Sequence, residues 1–585
     1  MNPRIASIEN LIARDPGGRN IFGLLLADHL RLAAQSLRLA RRVGIVSGFF
    51  IPEANAGETD GPPGAKVVGE ALTQLGIRVD YITDERNAPL FRALGLNPII
   101  DATGYLDDAR PSHLLSIERV GRGSDGRYRN MRGVDITTTT APLDELFLRG
   151  ARRGLTTVGI GDGGNEIGMG RVFAEALAAI EHGAQLATIV PTDFCIVAGV
   201  SNWGAYGLAG ALSVLENRDL LPTAERASED IARIVSTGGA VDGVTFRREP
   251  TVDGLPNAES LRMLEEIRHH IAPSPLEQGG SLTVGVLGYG DTGRAAAALL
   301  FRKGHQVRLS DSGAVNLTPG LHFAGVETGG HTMEFLESCN LVVVSPGVPP
   351  DAPIREQLHV RGIPIMSELE LAYQLCRYPL IAVTGTIGKR TTVELIRDMF
   401  RADGRALPIG GNRGTPLSAL LLDGNSDLEA SVAAPMAIAV SSFQLETVVH
   451  FRPHVAIVLN LTAAHLDRHR TLAEYARIKS RIFMNHHPDD VLVLNFDHPR
   501  LRPLARKHHG RTLFVSCKQE VDRGAWLIDG VARINLTGIT EEIGAANHPF
   551  PEDLLSAMLA ARLYGIEPAT LSRFLRATVD ASGAL

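Results

Sequence analysis

Carboxylates and glycines crowd one stretch, Gly159-Ile160-Gly161-Asp162-Gly163-Gly164-Asn165-Glu166-Ile167-Gly168-Met169-Gly170. Glycine at this density is costly inside a helix or strand, since each residue surrenders backbone entropy on ordering. It is useful where backbone must approach a ligand closely. Asp162, Asn165 and Glu166 project from this loop, and paired carboxylates can move a proton or hold a hard cation. The plainer alternative is a glycine-rich turn. A second acidic loop, Pro52 to Gly64, carries Glu58 and Asp60 in Gly57-Glu-Thr-Asp-Gly-Pro-Pro-Gly64. A third polar stretch holds Glu118 and Asp125 with Arg119, Arg122, Arg127, Arg129 and Arg132; by composition it also reads as a solvated charged loop. A fourth, Val200 to Gly207, contains Asn202 and one of the two tryptophans, Trp203.

The surrounding pattern predicts what holds these loops. Leu155–Ile160 reads as a strand entering the first loop and Val172–Ile180 as a helix leaving it. Val43–Ile51 reads as a buried strand, Ala65–Leu75 as a helix capped by Gly76, and Val79–Thr83 as the next strand. Residues 1–40 read as helices with Leu24, Leu25, Leu26, Leu30, Leu32 and Leu37 on an apolar face. Strand–loop–helix units of this kind build open parallel sheets, whose ligands sit at the carboxyl ends of the strands. Glu58, Asp60, Asp162 and Glu166 are all expected there.

Taken together, residues 40–210 resemble the D-glutamate cyclase family. The matching blocks are Gly57–Gly64, Ser116-Ile-Glu-Arg119, Asp125-Gly-Arg-Tyr128, Asn130-Met-Arg-Gly133, Gly161–Gly170 and Ser201-Asn-Trp-Gly-Ala-Tyr206. The resemblance implies interconversion of D-glutamate and 5-oxo-D-proline with loss or gain of water, a hydro-lyase reaction. The α-amine must lose a proton before attacking the γ-carboxyl carbon, and the departing oxygen needs a proton or a cation. Asp162 and Glu166 are candidates for base and acid, with Glu58, Asp60 and Asn165 beside them as catalytic candidates. Alternatively, Glu58, Asp60, Asp162 and Glu166 form an oxygen-rich nest for Mg²⁺ or Mn²⁺. Arg119, Arg127 and Arg132 are candidates for gripping a carboxylate bidentately, and Asp125 and Asn202 complete the expected substrate contacts.

Prolines 250, 256, 273 and 275 bracket one helical run and mark the main domain boundary. Beyond it, Thr283–Gly293 places Gly288-Tyr-Gly290-Asp-Thr-Gly293 between a strand and a helix, a pattern used for dinucleotides and other phosphorylated ligands. The strand Leu380–Val383 runs into Thr384-Gly385-Thr386-Ile387-Gly388-Lys389-Arg390-Thr391-Thr392 and then a helix, in outline a phosphate loop with its lysine.

Residues 283–580 resemble the Mur ligases, nearest the branch that adds D-glutamate to UDP-muramoyl-alanine. The blocks are Gly288-Tyr-Gly290, Ser310-Asp311, Ser345-Pro-Gly347, Thr384–Lys389, Gly411-Asn412 with Gly414-Thr-Pro416, Ser441–Glu446, Asn460-Leu-Thr462, His465–His469, Lys479, and Asn495 with Asp497. The resemblance implies a uridine nucleotide in a Rossmann-like domain and ATP in a P-loop central domain. Gly385, Thr386, Gly388, Lys389, Thr391, Asn412, Asn495 and Asp497 would bind nucleotide, with Asn495 near the adenine. His465 would ligate Mg²⁺, and Lys479 would be the lysine carbamylated in other members. Several positions depart from the pattern. Arg390 replaces a hydroxyl after the loop lysine, and Ala439 replaces a carboxylate. Ala463-Ala464 replace an acidic pair, and the His-Asn block is unrecognisable around Asn547–Asp553. Lost metal ligands disable acyl-phosphate formation. Arg390 and Arg413 would add charge beside the loop. The expectation is a half that binds nucleotide weakly, or without metal, and does not ligate.

At 585 residues the chain exceeds a single core. The expected fold class is multidomain α/β, with open parallel sheets flanked by helices. The expected domains are a cyclase-like domain (1–255), a helical linker (256–280), a Rossmann-like Mur domain (281–372) and a Mur central domain (373–585), with the third ligase domain missing. Apolar content of 44%, charged content of 21%, net charge −7 and 5% aromatics argue against nucleic acid as a partner. Four scattered cysteines without a CxxC pair, no signal pattern and no spanning run predict a cytoplasmic chain without membrane contact. Expected partners are a small amino-acid substrate, a nucleotide, and either a separate ligase C-terminal domain or further copies of the chain. The leading functional expectation is a D-glutamate cyclase whose Mur-like half docks or senses. The alternatives are an ATP-dependent ligase of peptidoglycan precursor synthesis and a noncatalytic scaffold.

Overall fold

Arg42–Ser47 (β1) is buried from Val43 onward, as a strand covered on both faces must be. It lies at the centre of a five-stranded parallel sheet with Arg78–Ile82 (β2), His113–Ile117 (β3), Thr156–Gly161 (β4) and Phe194–Val197 (β5), in the order β2-β1-β3-β4-β5. All four neighbouring pairs run parallel. The order reverses between β1 and β3, and in open parallel sheets ligands bind outside the carboxyl ends at such a reversal. The computed structural model describes residues 2–349, 351–412, 414–422 and 435–582. It divides into two compact units, Asn2–Ala272 and Pro273–Leu585.

In the first unit the N-terminal stretch forms Pro3–Ile12 (α1) and His29–Leu37 (α2), joined through a 3₁₀ turn at Ile21–Leu24. Pro62–Gln74 (α3) starts three residues earlier than the apolar pattern indicates, because Pro62 and Pro63 fit the first helical turn. Ser201–Glu216 (α4) is buried along Ser201–Val214, so it serves as the central helix of this unit.

The boundary expected at 255 falls instead after Ala272. The stretch 256–280, read as a linker, contributes Asn257–Arg268 (α5) to the core. Met263, Leu264 and Ile267 share its buried face and join the cluster that holds Ile8 and Tyr206. Ile267 packs on Gly210, where a Cβ would come within 2.4 Å, and Trp203 Nε1 donates to Ser260 Oγ at 3.1 Å. The prolines flank a helix with an apolar face, and such a face has to be covered.

The second unit carries two sheets. Thr283–Leu287 (β6), Asp291–Arg302 (α6), Gln306–Asp311 (β7), Gly325–Thr328 (β8), Leu341–Val344 (β9) and Ile365–Ser367 (β10) form a parallel sheet in the order β8-β7-β6-β9-β10. The next sheet is built on Leu380–Thr384 (β11), followed by Lys389–Ala402 (α7), Ile409–Gly411 (β12), Met436–Ala439 (β13) and Val455–Val458 (β14). After Leu472–Ser480 (α8) come Val491–Asn495 (β15), Arg511–Ser516 (β16), Gly524–Ile528 (β17), Val531–Asn535 (β18) and Thr540–Ala545 (β19). The described order is β12-β13-β11-β14-β15-β16-β17-β18-β19, parallel up to β17 and antiparallel beyond. Pro551–Leu563 (α9) packs against α7 through a shared apolar cluster. Both units are thus α/β with parallel sheets flanked by helices. No described helix is long and apolar enough to cross a membrane.

Candidate functional site

The loops leaving β1, β3 and β4 bring their acids together over the start of α4. Asp60 accepts from Ser201 N at 2.9 Å and Asn202 N at 2.8 Å, and Asp162 accepts from the same Ser201 N at 3.2 Å. Ser201 Oγ donates to Glu118 at 2.5 Å. Glu166 curls back to accept from Gly163 N and Gly164 N, each at 2.9 Å. The helix start therefore supplies amides and the positive end of its dipole to an anionic cluster. Carboxylate oxygens of Asp60, Asp162 and Asp253 lie within 4.8 Å of one another, as do those of Glu118, Asp162 and Glu166. Glu58 joins the cluster. Its charge acts on Asp253, Asp60 and Glu166, and its buried Oε1 has no hydrogen-bond partner.

Two local features let the acids approach. Gly61 has φ +96, and a Cβ there would meet Glu118 Cβ and Ser47 Oγ at 2.8 Å. Glu118 itself sits at φ 46, a left-handed conformation sparsely used outside glycine and often found at functional positions.

Six buried or nearly buried carboxylates face one guanidinium. Arg19, from the turn between α1 and α2, reaches Asp162 Oδ1 at 2.7 Å and Asp253 Oδ2 at 3.0 Å. Burial pushes the carboxyls of Glu58, Glu118 and Asp162 well above their ordinary values. Glu58 is raised further by Asp253, and Glu118 by Asp162; Arg19 works the other way on Asp162. Asp60 is pushed up to about 7 by burial and then Asp253, against the amides of Asn202 and Ser201. Glu166 is raised by burial, opposed by backbone amides and by Arg19. Without a cation the cluster must hold protons, and the donor set, all carboxylate oxygen, suits a hard divalent ion such as Mg²⁺ or Mn²⁺.

Of the residues singled out from sequence, Glu58, Asp60, Asp162 and Glu166 share this cluster. Asn165 stands at its edge, with Nδ2 donating to Arg129 O at 2.8 Å and a buried Oδ1 left unpartnered. Asn202 acts as a clamp instead of facing a ligand: its Oδ1 accepts from Gly61 N and Gly64 N at 3.1 and 2.8 Å. The arginines are engaged elsewhere. Arg119 is buried on Gly48 O, Ala141 O and Asp84. Arg127, with a side chain 60% exposed, pairs with Asp135, and Arg132 lies over the Phe246 ring at 4.1 Å. Asp125 is exposed and binds Arg129. Sequence reading missed Arg19 and Asp253 and left Glu118 without a role. A signal for Asp253 existed: Asp253-Gly254 between Val252 and Leu255 is a two-residue hairpin pattern, and both residues have positive φ.

In the second unit, the loop after β11 has its polar groups satisfied internally. Lys389 Nζ donates to Gly385 O at 2.8 Å and Thr386 O at 3.0 Å, while Asn460 Oδ1 accepts from Thr386 N and Ile387 N at 2.8 and 3.0 Å. Gly388 has φ +89 at the cap of α7, and Asp553 at the start of α9 lies against it, 2.4 Å from where a Cβ would stand. Thr391 lies in the first turn of α7. Arg390 turns to Glu394 with its side chain 79% exposed, so it does not charge the loop; Arg413 lies outside the described residues. Lys479 donates to Gly385 O at 2.9 Å, and burial, then Lys389, lowers it to about 7. His465 is exposed against Phe443. Among the described residues no group of three acids, histidines or cysteines close enough for a cation forms around His465 or Lys479. Asn495 accepts from Asp497 N, while Asp497 is itself taken up by Ser516 and Cys517. Asn412 lines a different space, a cavity of about 540 Å³ with Asp291, Thr292, Pro346, Glu368 and Gln444.

Family models divide the chain along the same lines. The one described as D-glutamate cyclase-like, C-terminal, matches residues 8–268. The Mur ligase MurD-like N-terminal domain matches 282–367, and the Mur ligase middle domain matches 383–536. The chain is a D-glutamate cyclase-like domain fused to Mur ligase N-terminal and middle domains. Its Mur portion is similar to UDP-N-acetylmuramoylalanine–D-glutamate ligase of Pelotomaculum thermopropionicum, 41% identical over 305 residues, 50% of this chain and 65% of that one. The enzyme of the same name from Thermoanaerobacter pseudethanolicus is 37% identical over 249 residues, 42% of this chain and 54% of the relative. The chain thus spans 54–65% of the length of these curated relatives. A solved UDP-N-acetylmuramate:L-alanyl-gamma-D-glutamyl-meso-diaminopimelate ligase from Neisseria meningitides matches 51% of this chain and 98% of its own at 16% identity, with a TM-score of 0.35.

The cyclase-like and Mur-like domains should respond oppositely to acid. In the metal-free cyclase-like domain the raised acids bind more protons folded than unfolded, so acidification from pH 7 towards 5 stabilises it. In the Mur-like part, His486 Nδ1 and His508 Nε2 lie 2.7 Å apart, and burial holds them at about 3 and about 4. The unfolded chain protonates them near pH ~6.5, so stability there falls as pH drops below that value, by about 1.4 kcal/mol per pH unit for His486. Calorimetry of the metal-free protein at pH 7 and pH 5 should show the two melting transitions moving in opposite directions. Parallel shifts would contradict both assignments.

Proposed function

We propose that the cyclase-like domain is a lyase interconverting D-glutamate and 5-oxo-D-proline. The observation that supports this most directly is the convergence of Glu58, Asp60, Glu118, Asp162 and Glu166 at the sheet's switch point. Asp162, Glu118 and Glu166 would hold a divalent cation, Mn²⁺ or Mg²⁺, which when bound supplies polarisation of the γ-carboxyl group. Asp60, poised near 7, takes the proton that the substrate ammonium must lose. The freed amine forms the C–N bond at the γ-carbon. The departing oxygen needs two protons to leave as water: Glu58, kept protonated by burial and presenting the unpartnered Oε1, gives one, Asp60 returns the proton it took from the ammonium, and the second proton shed by the nitrogen as the lactam forms restores Glu58. Ser201 N and Asn202 N keep Asp60 and Asp162 oriented throughout.

A second reading, an ATP-dependent D-glutamate-adding ligase, is favoured by the likeness to the curated ligases and by Lys479, whose amine near 7 is suited to carbamylation. Against it stand Ala439 and Ala463-Ala464 in place of acids, and the internal bonds of Lys389. The two readings part in one assay. Purified protein is incubated with D- or L-glutamate, with and without Mn²⁺ and ATP, and 5-oxoproline and ADP are measured. Metal-dependent 5-oxoproline without ATP is expected from D-glutamate. No 5-oxoproline together with ADP release would leave the ligase reading in its place.

A further inference from the structure

Resting on the reading of the acid cluster as a cation and D-glutamate site, we propose that Arg19 is its substrate-carboxylate grip, held in reserve by Asp162 and Asp253 until a divalent cation claims Asp162. Among the described residues Arg19 is the guanidinium paired with these acids, while Arg119, Arg127 and Arg132 are engaged with Asp84, Asp135 and Phe246. A substrate with two carboxylates entering a nest of six acids needs a cation for each of them. With Glu58 protonated and the other five acids ionised, the nest and Arg19 together carry four negative charges. One divalent ion leaves two, still repelling a second anion unless Arg19 turns towards it.

The cation and Arg19 compete for the same oxygens. Asp162 belongs to both three-acid groups and is also Arg19's partner; Asp253 belongs to one group and is Arg19's other partner. A cation in either group draws on Asp162 and repels the adjacent guanidinium. Arg19 is held by two short, buried ionic contacts, to Asp162 Oδ1 at 2.7 Å and to Asp253 Oδ2 at 3.0 Å, so a competitor for these acids is what releases it. Arg19 N and Ile21 N donate to Asp15 at 2.9 and 3.3 Å, which anchors the backbone of the turn. Only the side chain has to rotate. Its planar fork then meets a carboxylate in the two-point geometry that a lysine cannot reproduce. Glu58 Oε1, buried and without a hydrogen-bond partner in the same cluster, offers a further polar atom to a ligand there.

The arrangement makes cation binding and substrate binding cooperative, with Arg19 as the coupling residue. The test uses the full chain and its Arg19→Ala and Arg19→Lys variants. Mn²⁺ binding is read by electron paramagnetic resonance without substrate, and D-glutamate binding by calorimetry with and without Mn²⁺. In Arg19→Ala, Mn²⁺ should bind about tenfold more tightly, the competitor being gone, while D-glutamate affinity in the presence of Mn²⁺ falls about 10–100-fold, the worth of a charge-assisted pair. Arg19→Lys should keep the competition but recover little of the substrate affinity, and it serves as the folded control. Weaker Mn²⁺ binding in Arg19→Ala, or unchanged D-glutamate affinity, overturns the proposal while leaving the cyclase reading intact. A parent protein that binds neither Mn²⁺ nor D-glutamate overturns both.

Discussion

Replacing Asp162 by asparagine is expected to abolish tight Mn²⁺ binding and to lower D-glutamate cyclisation about 10²–10⁴-fold, while the metal-free protein stays folded. Asp162 is the acid common to both three-carboxylate groups, so no cation position in the cluster avoids it. Asparagine keeps the shape and can still meet Ser201 N, but it offers one neutral oxygen where the carboxylate offered two charged ones. Loss of a positioned group that handles charge or protons in the transition state costs roughly 10²–10⁴ in rate. Stability should move differently. The substitution breaks one ion pair with Arg19 but also relieves a carboxylate crowded by Asp253, Glu166 and Asp60. The melting temperature without metal should therefore not fall. Arg127→Ala is the matching control: its exposed pair with Asp135 is worth at most about 1 kcal/mol, and turnover should be unaffected. Full activity in Asp162→Asn, or its loss in Arg127→Ala, would move the site elsewhere.

The second large effect lies in the Mur-like half. Asp553→Asn should tighten ATP binding about tenfold at pH 7.5, and the gain should disappear near pH 5. The Asp553 carboxylate, 6% exposed, lies against Gly388 where the loop meets the start of α7. Burial, then Glu552, raises it to about 6. Above that pH it is an anion at the position where loop amides and the helix start would otherwise receive phosphate. Acid neutralises it, so the unsubstituted protein should gain affinity as pH falls through 6 and the variant should show no such step. Asparagine is nearly isosteric, so packing against Gly388 persists. Fluorescent-ATP titrations at both pH values, each with and without a chelator, measure the effect. Equal affinities at pH 7.5 would show that Asp553 does not oppose the phosphate. A strict Mg²⁺ requirement would revive the ligase reading despite Ala439.

The acids were legible because chemistry and backbone left the same mark: Glu58, Asp60, Asp162 and Glu166 sit among glycines that only a close approach explains. The strands entering Gly161, Gly288 and Gly385 were legible for a similar reason, each leading into a glycine-rich loop, whereas Gly524–Ile528, Val531–Asn535 and Thr540–Ala545 lead into no such loop and were not read from sequence. Arg19 was not legible. It stands alone in a Pro-Gly-Gly turn, and nothing local ties it to loops more than a hundred residues away. The other arginines misled because guanidinium groups near acids look alike in sequence whether they face a ligand or, like Arg119, a buried Asp84. Asp253 was obscured by prolines that suggest a tether, although α5 behind it carries a core-facing stripe.

Arg19 and Asp253 stand near opposite ends of the first unit and meet across the nest. A nascent chain emerging from the ribosome has its central strands and five of its six acids well before the hairpin that bears Asp253. The pocket is therefore among the last parts of that unit to assemble during synthesis, and a chain stalled short of the hairpin would carry the sheet without a closed centre.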